Sequence, residues 1–480
     1  MVSGLAGSST AVLAFEDRRL PLPELDERAA ALAAALAADG VAAGDRVALM
    51  ASNRPEFVVA VYAIWRLGAV VVLISPAWKR DEVGHALTLT EPRYALGDHP
   101  VLAELMPMRH LDEPVPPGPP AGAPPAVPAA ADADAVLVFS SGTTGLPKAV
   151  RHTYASMATG VRHWRDALGL TAADRIQVVT PPSHILGLLN ILTALSVGAR
   201  VRLHRRFDVD AMLATIAEDR ITVEMAVAPI ALAIAGHPDL ESFDLSSLRF
   251  IMWGATPVTA AVAEEVTRRT GVRWVPAYGT SELPVLSCSA INGAGPDDSD
   301  LHTVGHPVPG VELQVVDAET GEPLPHGVPG EIRARSESLM AGYLPDEATS
   351  EVVREGWFHT GDVGILDADG RLRITDRCKE MIKVRGFQVA PAEIEAVLHE
   401  HPAVADCGVF GVPDPGDGEA VVAAVALREP IDEAELTALV AERLASYKRL
   451  SRVVVFPEIP RLPSGKLLRR LLKERLWMSG

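Results

Sequence analysis

The sequence predicts an α/β protein with a large, multi-subdomain N-terminal region and a small α+β C-terminal unit. Three observations carry that reading. Helical and strand-like segments alternate from Leu25 to about Leu286. The texture then turns to short strands rich in Gly and Pro over residues 301–376. A compact run of strands and helices closes the chain over residues 377–480.

Taken in order, Leu25 to Asp39 (LDERAAALAAALAAD) spaces its apolar residues for a helix and meets a stop at Gly40; Arg46 to Met50 reads as a strand. Phe57 to Ile74 is apolar almost throughout, but Arg66 and Gly68 interrupt it. A charge at mid-bilayer costs about 3 kcal/mol. The stretch therefore divides into a buried helix (about Pro55 to Arg66) and a buried strand (Ala69 to Ile74), and no membrane span is expected. Leu111 to Ala131 is dense in Pro, Ala and Gly, which excludes a helix or central strand and marks a surface connection. Ala135 to Phe139 (AVLVF) is a short buried strand feeding a polar loop. Hairpin signals stand at Asp317–Gly321 and Asp367–Gly370. The C-terminal unit reads as a strand (Glu380 to Val384), a helix (Ala392 to Glu400), strands at Ala403 to Val412 and Ala420 to Leu427, a helix (Glu433 to Ala445) and a strand (Arg452 to Phe456).

The composition narrows the function. Of 480 residues, 48% are hydrophobic and 22% charged, the mix of a globular chain and not of a disordered one. Lys and Arg total 44 against 62 Asp and Glu, a formal charge of −18. Such a surface repels polynucleotides, so nucleic-acid binding is not expected. One small phosphate ligand stays compatible, because a local ring of N–H groups and a few cations overrides the average field. Three scattered cysteines (Cys288, Cys378 and Cys407) cannot build a disulfide framework or a zinc cluster. Met1 to Thr10 lacks the pattern of a signal peptide, and the expected location is the cytoplasm.

Directly after the AVLVF strand, Ser140 to Lys148 reads SSGTTGLPK. Gly142 and Gly145 let successive N–H groups point into one concavity. Ser140, Ser141, Thr143 and Thr144 add hydroxyl donors, and Lys148 adds a charge: the chemistry of a polyphosphate cradle. It is not a Walker A loop, since Pro147 and not Gly precedes the lysine. Four further segments carry chemistry. Pro182 to Gly187 (PSHILG) sets His184 among apolar residues. Tyr278 to Glu282 (YGTSE) offers a ring to stack a base, hydroxyls for phosphate and a carboxylate for Mg²⁺. Gly356 to Asp362 (GWFHTGD) presents Asp362 after a glycine, in a turn suited to accept from a diol. Pro463 to Lys466 (PSGK) ends on one lysine.

FSSGTTGLPKAV, followed in order by these segments, resembles the signature of the adenylate-forming superfamily, from about Leu25 to Arg470. Ala149 stands where the family motif usually has Gly, and Ser281 where it usually has Thr. The segment KEMIKVRGFQVAPAEIE (Lys379 to Glu395) is similar to that of 4-coumarate:CoA ligases and related acyl-CoA synthetases. The resemblance implies a large N-terminal AMP-binding domain (1–376), a small mobile C-terminal domain (377–480), and an AMP-forming acid–thiol ligase using ATP, Mg²⁺ and CoA. Lys466, His184, Glu282 and Thr143 are implied as catalytic, and Glu282 as the magnesium-associated carboxylate. Gly254 and Ala255 then lie beside the adenine, and Tyr278, Gly279, Thr280 and Ser281 at the nucleotide. Asp362 and Arg377 meet the ribose. Lys379 is the hinge, and Lys383, Gly386 and Gln388 lie by the acyl-adenylate or the pantetheine tunnel. The acid pocket is implied at Leu186, Asn190, Trp253, Ala277, Leu283 and Val285. Trp253 narrows it if it points inward, which favours a compact aryl or short- to medium-chain acid. The alternatives within the resemblance are a carrier-protein thiol as acceptor, or a non-carboxylate acid such as nitrite as substrate.

Overall fold

The computed structural model describes residues 10–114, 129–140, 147–254, 260–289, 301, 303–317, 320–377, 382–389, 391–460 and 469–478. Its N-terminal part rests on two large sheets. One has seven strands in the order Gly342–Leu344, Lys148–Thr153, Asp134–Ser140, Val70–Leu73, Arg46–Met50, Tyr94–Gly97 and Arg109–His110. It is parallel from Asp134–Ser140 onward and antiparallel at its Gly342–Leu344 edge. The second has nine strands, with a parallel centre running from Trp274–Tyr278 through Phe250–Trp253, Val223–Ala226, Arg175–Val178 and Arg200–Leu203 to Val12–Phe15.

The main core lies between these sheets and contains the helices Pro55–Arg66 and Ile185–Ser196. A helix sandwiched by two sheets has no solvent face, which is why both sequences are apolar nearly all round. Arg66, which divides the apolar run, ends its helix and pairs with Asp26 at 2.6 Å. No helix among the described residues is long and apolar enough to cross a membrane.

The β-rich segment forms a five-stranded sheet from Val311–Val316, Gly330–Ser336, Trp357–Leu366, Val353–Arg354 and Leu372–Arg377. Asp367–Gly370 closes the hairpin expected there, with Gly370 at φ +79. Asp317–Gly321 makes a turn, but Val311–Val316 pairs with Gly330–Ser336 and meets the residues just after the turn at a single bridge, Val316 to Pro323. The C-terminal sheet is built on a long antiparallel pair, Val404–Asp414 with Gly418–Leu427, and carries the short hairpin Ile382–Val384 and Phe387–Val389. Helices Pro391–His399 and Glu433–Arg443 cover it. Most of the Pro-rich stretch, 115–128, lies outside the described residues.

Candidate active site

A cavity of about 860 Å³ opens at the carboxyl ends of the parallel strands of the nine-stranded sheet, where Val179, Val227, Gly254 and Gly279 line it. Open α/β sheets bind ligands at that end because loops and helix N-termini converge there. The opposite wall comes from the C-terminal part: Arg385, Gly386 and Phe387, with Tyr447 and Lys448.

His184 occupies the N-cap of helix Ile185–Ser196 and lines the cavity. The turn before it is tight, since a Cβ at Gly187 would stand 2.3 Å from the Pro181 carbonyl. Burial pushes the imidazole down to about 4, so the ring is neutral. Its Nε2 and the hydroxyls of Thr180 and Ser183 are buried without a hydrogen-bond partner among the described residues, and all three residues line the cavity. Orphaned donors and acceptors on one cavity wall are the mark of a polar ligand site.

Tyr278 ends its strand at the cavity, and its phenol donates to Asp362 Oδ2 at 2.6 Å. Gly279 follows where a Cβ would lie 2.0 Å from the Pro284 carbonyl, so no other residue passes. Thr280, Ser281 and Glu282 line the cavity, and His152 Nε2 donates to the Ser281 carbonyl at 2.7 Å. Tyr343 donates to Glu282 Oε1 at 2.7 Å. Burial and Glu282 push the Tyr343 phenol far up, which keeps it a donor. Among the described residues no cluster of three or more His, Cys, Asp or Glu forms a metal cage. A single carboxylate fits Mg²⁺, which is held by one or two carboxylates together with substrate phosphates.

Other placements differ from the sequence reading. Asp362 sits within strand Trp357–Leu366 and not in a turn; a positive-φ Gly361 precedes it, and it registers opposite Arg377. It is 3% exposed and lies behind the Thr360–Gly361 lining. Ser140 lines the cavity, whereas Lys148 pairs with Glu351 at 3.1 Å and sits 5.4 Å over the Tyr343 ring. Arg385 (φ +51) and Gly386 (φ +86) form the tip of the short hairpin, the two consecutive positive φ values of a type I′ turn. Gly386 therefore enters the cavity. Lys383, lower on the hairpin, is tied through its N–H to Glu419 and does not line the cavity. Ser141, Gly142, Thr143, Thr144, Gly145, Ala255, Lys379 and Lys466 lie outside the described residues. For Arg377 and Gln388 the backbone alone is described.

The acid-pocket expectations divide. Leu186 and Ala277 line the cavity. Trp253 does not: it packs edge-on against Trp274 at 6.2 Å on the other face of the sheet, in a separate core. Alternation along the strand turns Met252 toward the cavity instead. Asn190 is fully buried behind Trp164, whose indole N–H donates to its Oδ1 at 2.7 Å. Leu283 and Val285 are fully buried in the main core, and Pro284 between them lines the cavity. Trp164, Tyr343, Phe387, Tyr447 and Lys448 were not singled out from sequence, because no local pattern separates them from core or surface residues.

Residues 6–344 match the AMP-binding enzyme family, and residues 393–466 its AMP-binding enzyme C-terminal domain. 4-Coumarate–CoA ligase 2 of Oryza sativa subsp. japonica is 37% identical over 488 residues, covering 92% of this chain and 85% of that protein. A double mutant of o-succinylbenzoate CoA synthetase from Bacillus subtilis, bound with a product analogue, is 30% identical. It superposes with a TM-score of 0.89 over 98% of both chains. The same synthetase in complex with its acyl-adenylate intermediate, also 30% identical, superposes with a TM-score of 0.71 over 98% of this chain and 96% of that one.

Proposed function

The chain belongs to the AMP-binding enzyme family, and from that premise we propose how its cavity divides the work and what class of acid it takes. It is an AMP-forming acid–thiol ligase. A carboxylic acid attacks ATP to give an acyl-adenylate and pyrophosphate, and the CoA thiol then takes the acyl group and releases AMP. One observation carries the residue-level reading: a single cavity is walled on one side by His184, Tyr278 and Glu282 and on the other by the Gly386–Phe387 tip. We place the domain boundary between residues 376 and 377.

In this reading the Tyr278 ring and the Gly254 and Gly279–Ser281 backbone receive the nucleotide. Asp362, oriented by the Tyr278 phenol, accepts from the ribose hydroxyls. Glu282, held by Tyr343, carries Mg²⁺, which offsets the charge of the triphosphate. The segment 140–148 is assigned to the triphosphate on its hydroxyls, glycines and family resemblance. Neutral His184 meets the acyl carboxylate without adding charge, and its Nε2, which has no partner among the described residues, is the atom available for that contact. Lys466 bridges carboxylate and α-phosphate during adenylation, a charge contact that strengthens as charge builds at phosphorus. Gly386 then lets the thin pantetheine arm pass close to the backbone. The better superposition on the product-analogue complex than on the acyl-adenylate complex supports reading the present arrangement as that of the thiol step.

Trp164, Leu186, Met252 and Ala277 give the acid an apolar slot whose largest wall is a tryptophan locked to Asn190. That supports a compact aryl or short- to medium-chain acid. We place the reaction in the cytoplasm, a reading supported by the three scattered cysteines of the sequence, too few for a disulfide framework. The test is ATP–pyrophosphate exchange over benzoate, cinnamate, butyrate and palmitate, followed by thioester formation with CoA or with a phosphopantetheinylated carrier protein. Exchange with compact acids and a CoA product are expected. Preference for palmitate would refute the pocket, and transfer to the carrier protein alone would replace CoA as acceptor.

A further inference from the structure

Lys448 is a buried cation shared by two carboxylates from different parts of the molecule. Its Nζ lies 2.6 Å from Glu82 Oε1 and 2.6 Å from Glu393 Oε1, and the three side chains are 3%, 4% and 3% exposed. Glu82 belongs to helix Arg80–Thr90 of the N-terminal part, Glu393 to helix Pro391–His399 of the C-terminal part. Burial opposes the charge on Lys448, yet the two carboxylates keep the ammonium protonated.

The cluster meets the cavity at Lys448, which lines it, and reaches the hairpin tip through a short path. Tyr447, next in sequence to Lys448, accepts from the Trp78 indole at 3.2 Å and stacks on Phe387 at 4.0 Å and 11°. Phe387 follows Gly386 at the hairpin tip and lies 5.3 Å from His184. Fixing Lys448 on Glu82 therefore fixes the ring that holds the tip.

We propose that the buried Glu82–Lys448–Glu393 cluster is the positioning device that docks the Gly386–Phe387 tip in the cavity, and that it serves thioester formation and not adenylation. The inference rests on the two-step reading given above. An ionic contact suits a part that must leave and return. Apolar burial would hold it permanently, whereas separated charges recover their water, so a buried ion cluster is strict in geometry and modest in net strength. Lys448 and Glu393 stay together when the C-terminal part turns; within the cluster the bond to Glu82 breaks, along with the Trp78–Tyr447 and Arg443–Asp81 contacts.

Glu82→Gln is the decisive variant, because it leaves a balanced Lys448–Glu393 pair inside the C-terminal part. Conversion of supplied acyl-AMP and CoA to thioester should fall about 10- to 100-fold at saturating CoA. ATP–pyrophosphate exchange should stay within about twofold, and amide hydrogen exchange over Ile382–Val389 should accelerate. Glu82→Asp should recover part of the thioester rate. The internal control is the exposed cross-part pair Arg443–Asp81, at 2.7 Å with side chains 42% and 58% exposed. Asp81→Asn should change each readout by less than about twofold, as exposed pairs do. Equal losses in both half-reactions, or unchanged hydrogen exchange of the hairpin, would overturn the proposal. If no acid supported exchange in the unmodified enzyme, the two-step reading would fall, while hairpin exchange in Glu82→Gln would still decide whether the cluster docks the tip.

Discussion

Trp164→Ala and Trp253→Ala delete the same side chain from two places, and only the first should change specificity. Both tryptophans are buried, at 2% and 8% exposure, so each deletion should cost about 3–5 kcal/mol of stability. Trp253 fills the core beyond the sheet, and its loss leaves the cavity wall as it was. Trp164 is itself wall, and its loss enlarges the acid slot. Each methylene that finds apolar space gains about 0.8 kcal/mol, so an acid longer by four methylenes should gain about 3 kcal/mol, or about 10²-fold in kcat/KM. The assay is kcat/KM along a straight-chain series from butyrate to palmitate, with benzoate and cinnamate alongside. Trp164→Ala should shift the optimum to longer chains; Trp253→Ala should lower stability and leave the profile unchanged. A shift in Trp253→Ala, or none in Trp164→Ala, would refute the pocket assignment. Trp164→Phe keeps most of the bulk as a folding control. It leaves Asn190 Oδ1 without its donor beside an Nδ2 that already has no partner among the described residues, at about 1–3 kcal/mol.

Three further outcomes are expected. Lys466→Ala should slow acyl-adenylate formation by about 10²-fold or more while converting supplied acyl-AMP nearly normally, measured as separate half-reactions; an equal loss in both would sink the assigned role. Asp362→Ala should raise the KM for ATP by the equivalent of about 1.5–3 kcal/mol per lost bond, and an unchanged KM would remove the ribose contact. Burial pushes the Glu224 carboxyl up to about 7 despite a hydrogen bond from Gln177. The folded state therefore binds this proton more tightly than the unfolded state does. Stability from this group is lost as pH rises from about 4.5 to 7, by up to about 3 kcal/mol. Glu224→Gln should flatten that part of a Tm-versus-pH curve, and a parallel curve would show that Glu224 does not titrate there.

Much of the site is local and so was legible along the chain. The segment 140–148, expected to hold phosphate, concentrates hydroxyls and glycines in nine residues. Gly279 is demanded by a contact five residues away, and the Arg385–Gly386 tip by a two-residue turn. The alternation of helices and strands was likewise visible, because each element's apolar face is written at a period of 3.6 or 2. Orientation was not. Phe250–Trp253 is buried at every position, so no polar residue marks which parity faces the cavity, and Trp253 was expected where Met252 stands. Trp164 and Asn190 meet only because two helices pack together, 26 residues apart in sequence. Lys448 and Glu82 are separated by 366 residues, and in sequence each is an ordinary surface charge. What makes them a unit is desolvation, which arises only when the two parts close on each other and water can no longer reach either charge.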